Sequence, residues 1–567
     1  MIKILHIIQA LGNGGGPRAL IATAKKSADC GKFSHRILSL LSVDKKAYEL
    51  AVDASLPVLV SKDKDEIKRE IENADIVHVH FWNTPEIYEF FKSDLPPMRM
   101  LIWFHIGGQS VPQIITEKLV NFADFALACS PFTYDHPVFM KLEPGEKLRK
   151  TSMVYGAADF DRLEGLDPKP HDSFNVGYVG TFSLIKMHRN FISMSASIDI
   201  PDIRIIVCGH LVDEVFVEEA QCSDAASRFD FMGFVPDIKN VYEMLDVFGY
   251  PLCDNTYAAA ELTLQEAMFA GIPPVVFPAG GIKKLVINDF TGLVVNSEIE
   301  YKEAIEYLYH NRKERKRIGD NAQNYARQIF GAYNAAKKLN KIYEYMMKIP
   351  PRNRLWGEKP FLSLLDQPVT IQDLTGERYT KKMTGAEHFI ESLGKTDEAA
   401  YLVTSMKSTD FLELLKCEEK IAVTPRVMFC NDTGGILQYE AYYPEDPYLR
   451  LWSGLKWKSQ KEYSNALGDF SSAKALGMNH WRISWYISQA AEKVGQITLA
   501  KQYLQHVIDE MPDFKDAQEM LQRLGSHVDL PEKQEKFITM CPHCDEKVLV
   551  SQKGQWACPV CKNEFVV

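Results

Sequence analysis

Two hydrophobic rhythms alternate along the first 345 or so residues. Short uninterrupted apolar runs at residues 4–9, 36–41, 76–80, 100–105 and 125–129 are separated by stretches with helical spacing. A continuous apolar run marks a strand buried on both faces, and strands alternating with helices imply βαβ units around a parallel sheet. The rhythm restarts at 174–179 and continues through 203–208, 229–232, 248–252, 274–277 and 293–295. Between the blocks, 156–173 is rich in Asp, Gly and Pro. The pattern predicts an α/β chain with two Rossmann-like domains, 1–160 and 161–348, facing each other across a cleft. Residues 334–348 carry Leu339, Ile342, Tyr343 and Met346 at helical spacing and close this region.

Beyond it the pattern changes. Residues 349–384 hold four prolines without sustained periodicity and read as a linker. Residues 385–525 read as an all-α region. Within it Ala466, Phe470 and Ala473 recur 34 residues later as Ala500, Leu504 and Val507, and Gly454 maps onto Ser488. This resembles the tetratricopeptide repeat, in which small residues sit where paired helices cross. The alternative is an ordinary array of helical hairpins. Two copies are too few for a free-standing solenoid, so 385–446 is expected to cap one end.

The segment 536–567 holds Cys541-Pro-His-Cys544 and Cys558-Pro-Val-Cys561, a C-x2-C-x13-C-x2-C pattern. Two such knuckles complete a tetrahedral thiolate site, so a structural zinc ribbon is expected, its folding free energy supplied by the metal. A redox dithiol is the competing reading. The other seven of the 11 cysteines are scattered, as in a reducing compartment.

Composition narrows the function classes. Apolar residues make up 46% and charged residues 25% of 567, which is ordinary globular usage. The net charge of −10 argues against broad nucleic-acid binding. No run reaches the ~18–20 apolar residues of a membrane span. The expectation is a cytoplasmic protein with no transmembrane segment, with room for a peripheral contact at the inner membrane face.

The candidate chemistry gathers at Tyr257-Ala-Ala-Ala-Glu261-Leu-Thr-Leu-Gln-Glu266-Ala-Met-Phe-Ala-Gly271. After a strand and a polar loop, this segment opens a helix whose free N–H groups near Leu262 and Thr263 suit phosphate. Glu266 is placed to accept hydrogen bonds from ribose hydroxyls, or to serve as a dipole-stabilising glutamate. The loop Gly12-Asn-Gly14-Gly15-Gly16 follows the first strand. It lacks the dinucleotide fingerprint, because Pro17 occupies the third glycine position. It reads as a loop letting backbone approach a diphosphate, or as a bare turn. His105 ends a strand, as a cleft residue or a core histidine; His78 and His80 share one strand face and read as structural. Asp159-Phe-Asp161 has the form of a metal-binding pair but lies in the domain connection.

Taken together, Glu266-Ala-Met-Phe-Ala-Gly-Ile-Pro, Gly280-Gly281 and Thr291-Gly292-Leu-Val-Val resemble the retaining glycosyltransferases of the GT-B fold, family four. The resemblance covers about residues 1–346. The glycine loop, Ala74-Asp-Ile-Val-His78-Val-His80, Ile102-Trp-Phe-His105, Val176-Gly-Tyr-Val-Gly180, Lys186 and Phe231-Met-Gly233-Phe234-Val follow in the family's order. It implies that Glu266 binds the ribose, Lys186 the phosphates, the loop at Gly233 and Phe234 the base, and His105 the donor or acceptor. Two positions depart. Ala258 stands where the family has an acid, with Glu261 as the substitute nearby. Thr181 stands where an arginine is common, with Arg189 as the replacement charge.

The expectation is a metal-independent front-face transfer from a nucleotide-diphosphate sugar, a UDP-sugar being favoured, to a glycan, lipid-linked or protein acceptor. Lys186 and the helix N-terminus would stabilise the leaving phosphate. A protein partner is expected on the helical repeats. The rival readings are an adaptor with a weakened transferase region, and a nucleotide-sugar epimerase.

Overall fold

The computed structural model describes residues 1–254, 256–357, 385–408, 410–430, 433–525 and four short segments, 537–540, 547–550, 555–557 and 564–566. The chain divides into two units, Met1–Met478 and Asn479–Val567.

The first unit contains two parallel sheets. Strands β1 (Ile2–Ile8), β2 (Phe33–Ser39), β3 (Val58–Val60), β4 (Ile76–Phe81), β5 (Met100–Phe104), β6 (Phe125–Ala128) and β7 (Thr151–Met153) line up as β3-β2-β1-β4-β5-β6-β7. Strands β8 (Phe174–Val179), β9 (Ile203–Cys208), β10 (Phe229–Gly233), β11 (Val247–Tyr250), β12 (Pro274–Val276) and β13 (Leu293–Val294) line up as β10-β9-β8-β11-β12-β13. In both, the order reverses beside the first strand, and it is outside the C-terminal ends of strands at such a switch point that α/β sheets bind ligands. The apolar runs become strands because both faces are covered: every residue of β4, β5 and β8 is buried. The short outer strands β3 and β7 carry no long apolar run, so the hydrophobic pattern did not reveal them.

Two helices border the cleft between the sheets, and two more close over the first domain. Helix α1 (Gly15–Ala28) leaves the glycine loop after β1, and α2 (Leu262–Phe269) follows β11. Helix α3 (Gly331–Met346) returns to the first sheet, where Leu339, Ile342, Tyr343 and Met346 pack on Ile4, Phe33, Ile76 and Trp103. Residues assigned by order to the second domain thus complete the core of the first. Helix α4 (Gly385–Leu393) also docks on the first domain. Ser392 accepts from Asn83 Nδ2 at 3.2 Å, and the buried Glu391 carboxylate accepts from Trp356 Nε1 at 2.8 Å and pairs with Lys92 and Lys118. Tyr439 donates to Asn83 Oδ1 at 2.8 Å. The segment expected to cap the repeats therefore packs both on the α/β body and on the first hairpin helix, where Phe411–Ala422 lies against Pro447–Ser459. The linker's beginning is also anchored, with buried Arg354 on Asp124 and Trp356 stacked on Phe91.

The 34-residue repeat corresponds to two helical hairpins. In the first unit, α5 (Pro447–Ser459) packs on α6 (Tyr463–Ala475). A β-carbon on Gly454 would come within 2.6 Å of the Phe470 ring, so the small residue is required by the crossing. In the second unit, α7 (Trp481–Lys493) packs on α8 (Ile497–Glu510), with Ser488, Ala500, Leu504 and Val507 buried. The second unit also holds two antiparallel strand pairs, Phe537–Met540 with Lys547–Val550 and Gln555–Ala557 with Glu564–Val566. Cys541, Cys544, Cys558 and Cys561 lie outside the described residues. Among the described residues no helix is long and apolar enough to cross a membrane.

Candidate functional site

A cavity of about 510 Å³ lies between the two α/β domains, at the C-terminal ends of β1, β8 and β9. The first domain supplies Asn13, Gly14, Gly15, Arg18 and Lys46; the second supplies Gly180, Thr181, Gly209, His210, Phe234, Leu262, Thr263 and Glu266. Asp159 and Arg162 enter from the connection between them.

The glycines are there for close approach. A β-carbon on Gly15 would lie 3.0 Å from Leu262 Cδ1 across the cleft, and one on Gly16 would fall 2.4 Å from the Trp82 ring. Gly15 thus lets the loop pass close beneath Leu262 at the start of α2, and Gly16 lets it pack on Trp82, whereas Gly12 and Gly14 have open space around them. Gly209 has φ +142°, and a β-carbon there would sit 1.8 Å from the Gly180 carbonyl oxygen, so the loops after β8 and β9 touch through bare backbone. Glu261, just before α2, has φ +21°, an unusual backbone for a residue with a β-carbon. The first N–H groups of α2 have no partner within the helix, a site complementary to anions.

Glu266 lies on α2, buried, with both oxygens 2.7 Å from Arg162 Nη2 and its Oε2 also 3.1 Å from the donating Tyr242 hydroxyl. Burial raises the Glu266 carboxyl above the usual range, and Arg162 offsets part of that shift. Arg162 sits in a single turn at Phe160–Leu163. Arg18 is half-buried nearby; its pKa falls through burial and then through the adjacent Arg162. Lys46 Nζ stands 5.1 Å from the centroid of the half-exposed Phe234 ring. A chain of net charge −10 thus gathers three cations, Arg18, Lys46 and Arg162, beside two carboxylates, Asp159 and Glu266, in this cavity.

The other expected residues divide into groups. Gly14, Gly15, Gly180, Thr181, Phe234, Leu262, Thr263 and Glu266 line the cavity together. Gly16 and Gly233 shape its loops, Gly233 at φ +63°. Lys186 and Glu261 are not lining residues; they pair at 2.9 Å, and Glu261 also accepts from the Tyr250 hydroxyl. Burial alone would lower the Lys186 pKa, but the Glu261 carboxylate raises it above the ordinary lysine value, so the side chain is a firm cation. Arg189 does not supply a second positive charge to the cavity: it is half-exposed and pairs with Glu219 at 2.5 Å. Ala258 is buried, and Gly280 and Gly281 pack on the carbonyls of Ala258 and Ala259, so those glycines serve the protein's own backbone. Asp161 is held by Lys26 at 2.6 Å.

His105 is not among the lining residues. It stacks on Trp82 at 4.5 Å and meets His80 at 3.0 Å between Nε2 and Nδ1. Burial lowers its pKa to about 3, so it is neutral near pH 7.

Sequence reasoning missed Arg18, Lys46, Arg162, Tyr242 and Gly209. Arg18 directly follows the glycine loop and its Pro17, in the first turn of α1, and that spacing was a usable signal. Arg162 sits in the single 3-10 turn Phe160–Leu163 and Tyr242 ends the one-turn helix Lys239–Tyr242, both too short for periodicity to mark a role.

Residues 161–325 match the family described as glycosyl transferases group 1. A putative glycosyltransferase YtcC of Bacillus subtilis is 30% identical over 139 residues, 24% of this chain and 33% of that protein. A D-inositol 3-phosphate glycosyltransferase of Corynebacterium diphtheriae is 28% identical over 151 residues, 25% of this chain and 34% of that protein. The chain thus spans about a third of the length of these curated relatives. In fold it is similar to Anabaena Alr3699/HepE, solved in complex with UDP and glucose, with a TM-score of 0.50 at 18% identity over 61% of this chain and 100% of that one. A Rickettsia africae glycosyltransferase gives a TM-score of 0.51 at 16% identity over 61% of this chain and 99% of that one. These likenesses agree with the GT-B arrangement of two Rossmann-like domains about a cleft.

Proposed function

We propose that the chain is a retaining glycosyltransferase that moves a sugar from a nucleotide-diphosphate donor to an acceptor hydroxyl. One observation carries the reading. The matched family segment contributes Gly180, the α2 N-terminus and a buried carboxylate to a cavity closed on its other side by the glycine loop with Asn13 and by Arg18. Helix N–H groups and arginines suit a diphosphate, and a carboxylate suits vicinal hydroxyls.

In this reading Glu266 accepts from the ribose hydroxyls and Phe234 lies against the base. The glycine loop, the α2 N-terminus, Arg18 and Lys186 take the negative charge that develops on the leaving diphosphate. The acceptor proton passes to the departing phosphate oxygen, so neither a protein nucleophile nor a catalytic metal is invoked. A UDP-sugar is the favoured donor; the Anabaena protein of similar fold was solved with UDP and glucose. The acceptor is a glycan, lipid-linked or protein hydroxyl. The four C-terminal cysteines are assigned a structural zinc, and the helical hairpins a tetratricopeptide-like protein-binding role.

The decisive experiment follows nucleotide release from a panel of UDP-, GDP- and ADP-sugars, with thermal-shift binding of the free nucleotides alongside. Stabilisation by one nucleotide and acceptor-dependent release are expected. Neither binding nor hydrolysis with any donor would refute the reading. A specific observation supports a second reading, an adaptor of weakened activity: Lys186 is already neutralised by Glu261, and Ala258 leaves the sugar side without its usual acid. Tight nucleotide binding with no turnover would favour that second reading.

A further inference from the structure

The first sheet carries a histidine array that the proposed transfer does not use. His6 on β1 is paired in register with His78 on β4, and His80 lies two residues further on the same face. One ring nitrogen from each of His6, His78 and His80 lies within 4.8 Å of the others, and all three rings are buried.

Each ring is also held from outside. His6 Nε2 is 2.9 Å from His35 Nδ1, His80 Nδ1 is 3.0 Å from His105 Nε2, and His78 Nδ1 is 2.8 Å from the Tyr343 hydroxyl. The inward nitrogens are then His6 Nδ1, His80 Nε2 and His78 Nε2. The first two are 2.9 Å apart, and His78 Nε2, though buried, has no hydrogen-bond partner. Three imidazoles tied at their outer nitrogens match the two-layered arrangement of a metal centre; the His78 and His80 planes lie 16° apart with centroids 4.4 Å apart, so one of these two rings turns when both lone pairs meet a single ion. Two nitrogens on one ion at about 2.0–2.1 Å stand about 3.3–3.5 Å apart, so the His6–His80 pair need open by only a few tenths of an ångström.

The protons can be accounted for. Ser27 donates to Asn340 Oδ1 at 2.5 Å, so His35 must donate to Ser27 through Nε2 and accept from His6 Nε2–H at Nδ1. This leaves His6 Nδ1 as a bare lone pair. Without an ion, His80 Nε2–H fills that gap and His78 Nε2 stays unsatisfied. With an ion, the His80 proton moves to Nδ1 and points at His105, whose own proton moves from Nε2 to Nδ1. With His78 protonated at Nδ1 and donating to the Tyr343 hydroxyl, no proton need leave the protein. Among the described residues no carboxylate is hydrogen-bonded to any of the three rings. The solvation cost of burying an ion grows with the square of its charge, which favours a monovalent ion among the metals that imidazole suits.

We infer that His6, His78 and His80 form a buried three-imidazole metal site, with Cu(I) the ion that fits it best. The test uses the full chain carrying Cys541→Ser, Cys544→Ser, Cys558→Ser and Cys561→Ser, so that the C-terminal thiols do not compete. Anaerobic titration with Cu(I) against a chromogenic chelator, and X-ray absorption of the loaded protein, should show one equivalent in a low-coordinate, nitrogen-only shell. Calorimetry in buffers of different ionisation enthalpy should show no net proton release. His78→Gln should weaken binding by at least about tenfold. His35→Gln, which alters only an outer partner, should weaken it by about 10–100-fold. Circular dichroism and nucleotide thermal shift establish that each variant is folded. Zinc retained at one equivalent in place of copper would overturn the choice of ion. Failure to retain either ion, or copper held on sulfur and unaffected by His78→Gln, would overturn the site.

Discussion

Replacing Arg162 by methionine isolates the electrostatics of the proposed nucleotide site. Both Glu266 oxygens rest 2.7 Å from Arg162, and the glutamate side chain is only 5% exposed, whereas Arg162 retains 26%. Removing one partner of a buried pair typically costs about 3–5 kcal/mol, because the other charge is left uncompensated. Here the stranded group is the more buried one, so solvent relieves little of that cost. Its escape is protonation. Burial already holds the Glu266 carboxyl above its usual range, and losing Arg162 raises it further. A raised folded-state pKa contributes stability below the unfolded value near 4.3 and loses it as pH climbs toward the folded value. The variant should therefore lie close to the parent at about pH 5 and fall roughly 2–3 kcal/mol below it by about pH 8. Urea denaturation at both values measures this directly. Adding Glu266→Gln to the variant should remove the pH dependence and recover much of the loss. A deficit equal at both pH values, or below about 0.5 kcal/mol throughout, would refute a buried, mutually dependent pair.

Other substitutions test separate parts of the reading. Lys186→Met should lower nucleotide release in the presence of acceptor by about 10²–10³-fold if the lysine stabilises the leaving phosphate; an unchanged rate would remove it from the mechanism. Gly209→Ala places a β-carbon 1.8 Å from the Gly180 carbonyl, backbone against backbone, and should cost at least about 2 kcal/mol in denaturation and abolish the nucleotide thermal shift. Burial, reinforced by Lys92, lowers the His388 pKa to about 3, so its contribution is present above the unfolded value near 6.5 and is lost as pH falls toward 3. His388→Asn should flatten the acid limb of the stability curve by about 1.4 kcal/mol per pH unit; an unaltered limb would place the titration elsewhere. Cys541→Ser with Cys558→Ser should remove one equivalent of zinc from the purified chain by elemental analysis, and an unchanged zinc content would refute the ribbon.

Much of the fold was legible because its signals are local. Strands buried on both faces leave continuous apolar runs, so β1, β4, β5, β8 and β9 stand out, while β3 and β7 do not. The start of α2, the glycine loop and Glu266 announce themselves because helix ends and close backbone approaches demand particular residue types within a few positions. What the tertiary structure alone decided depends on residues distant in sequence. It sent α3 back across the first sheet and held 385–446 against that same domain, since an apolar helix face carries no address. It gave Glu266 its partner Arg162, 104 positions away, and tied Lys186 to Glu261. It also turned Arg189, the expected second cation of the cavity, outward to Glu219. Charge type can be read from a sequence, but which opposite charge a side chain meets is fixed only when the sheets stack and the loops between them close.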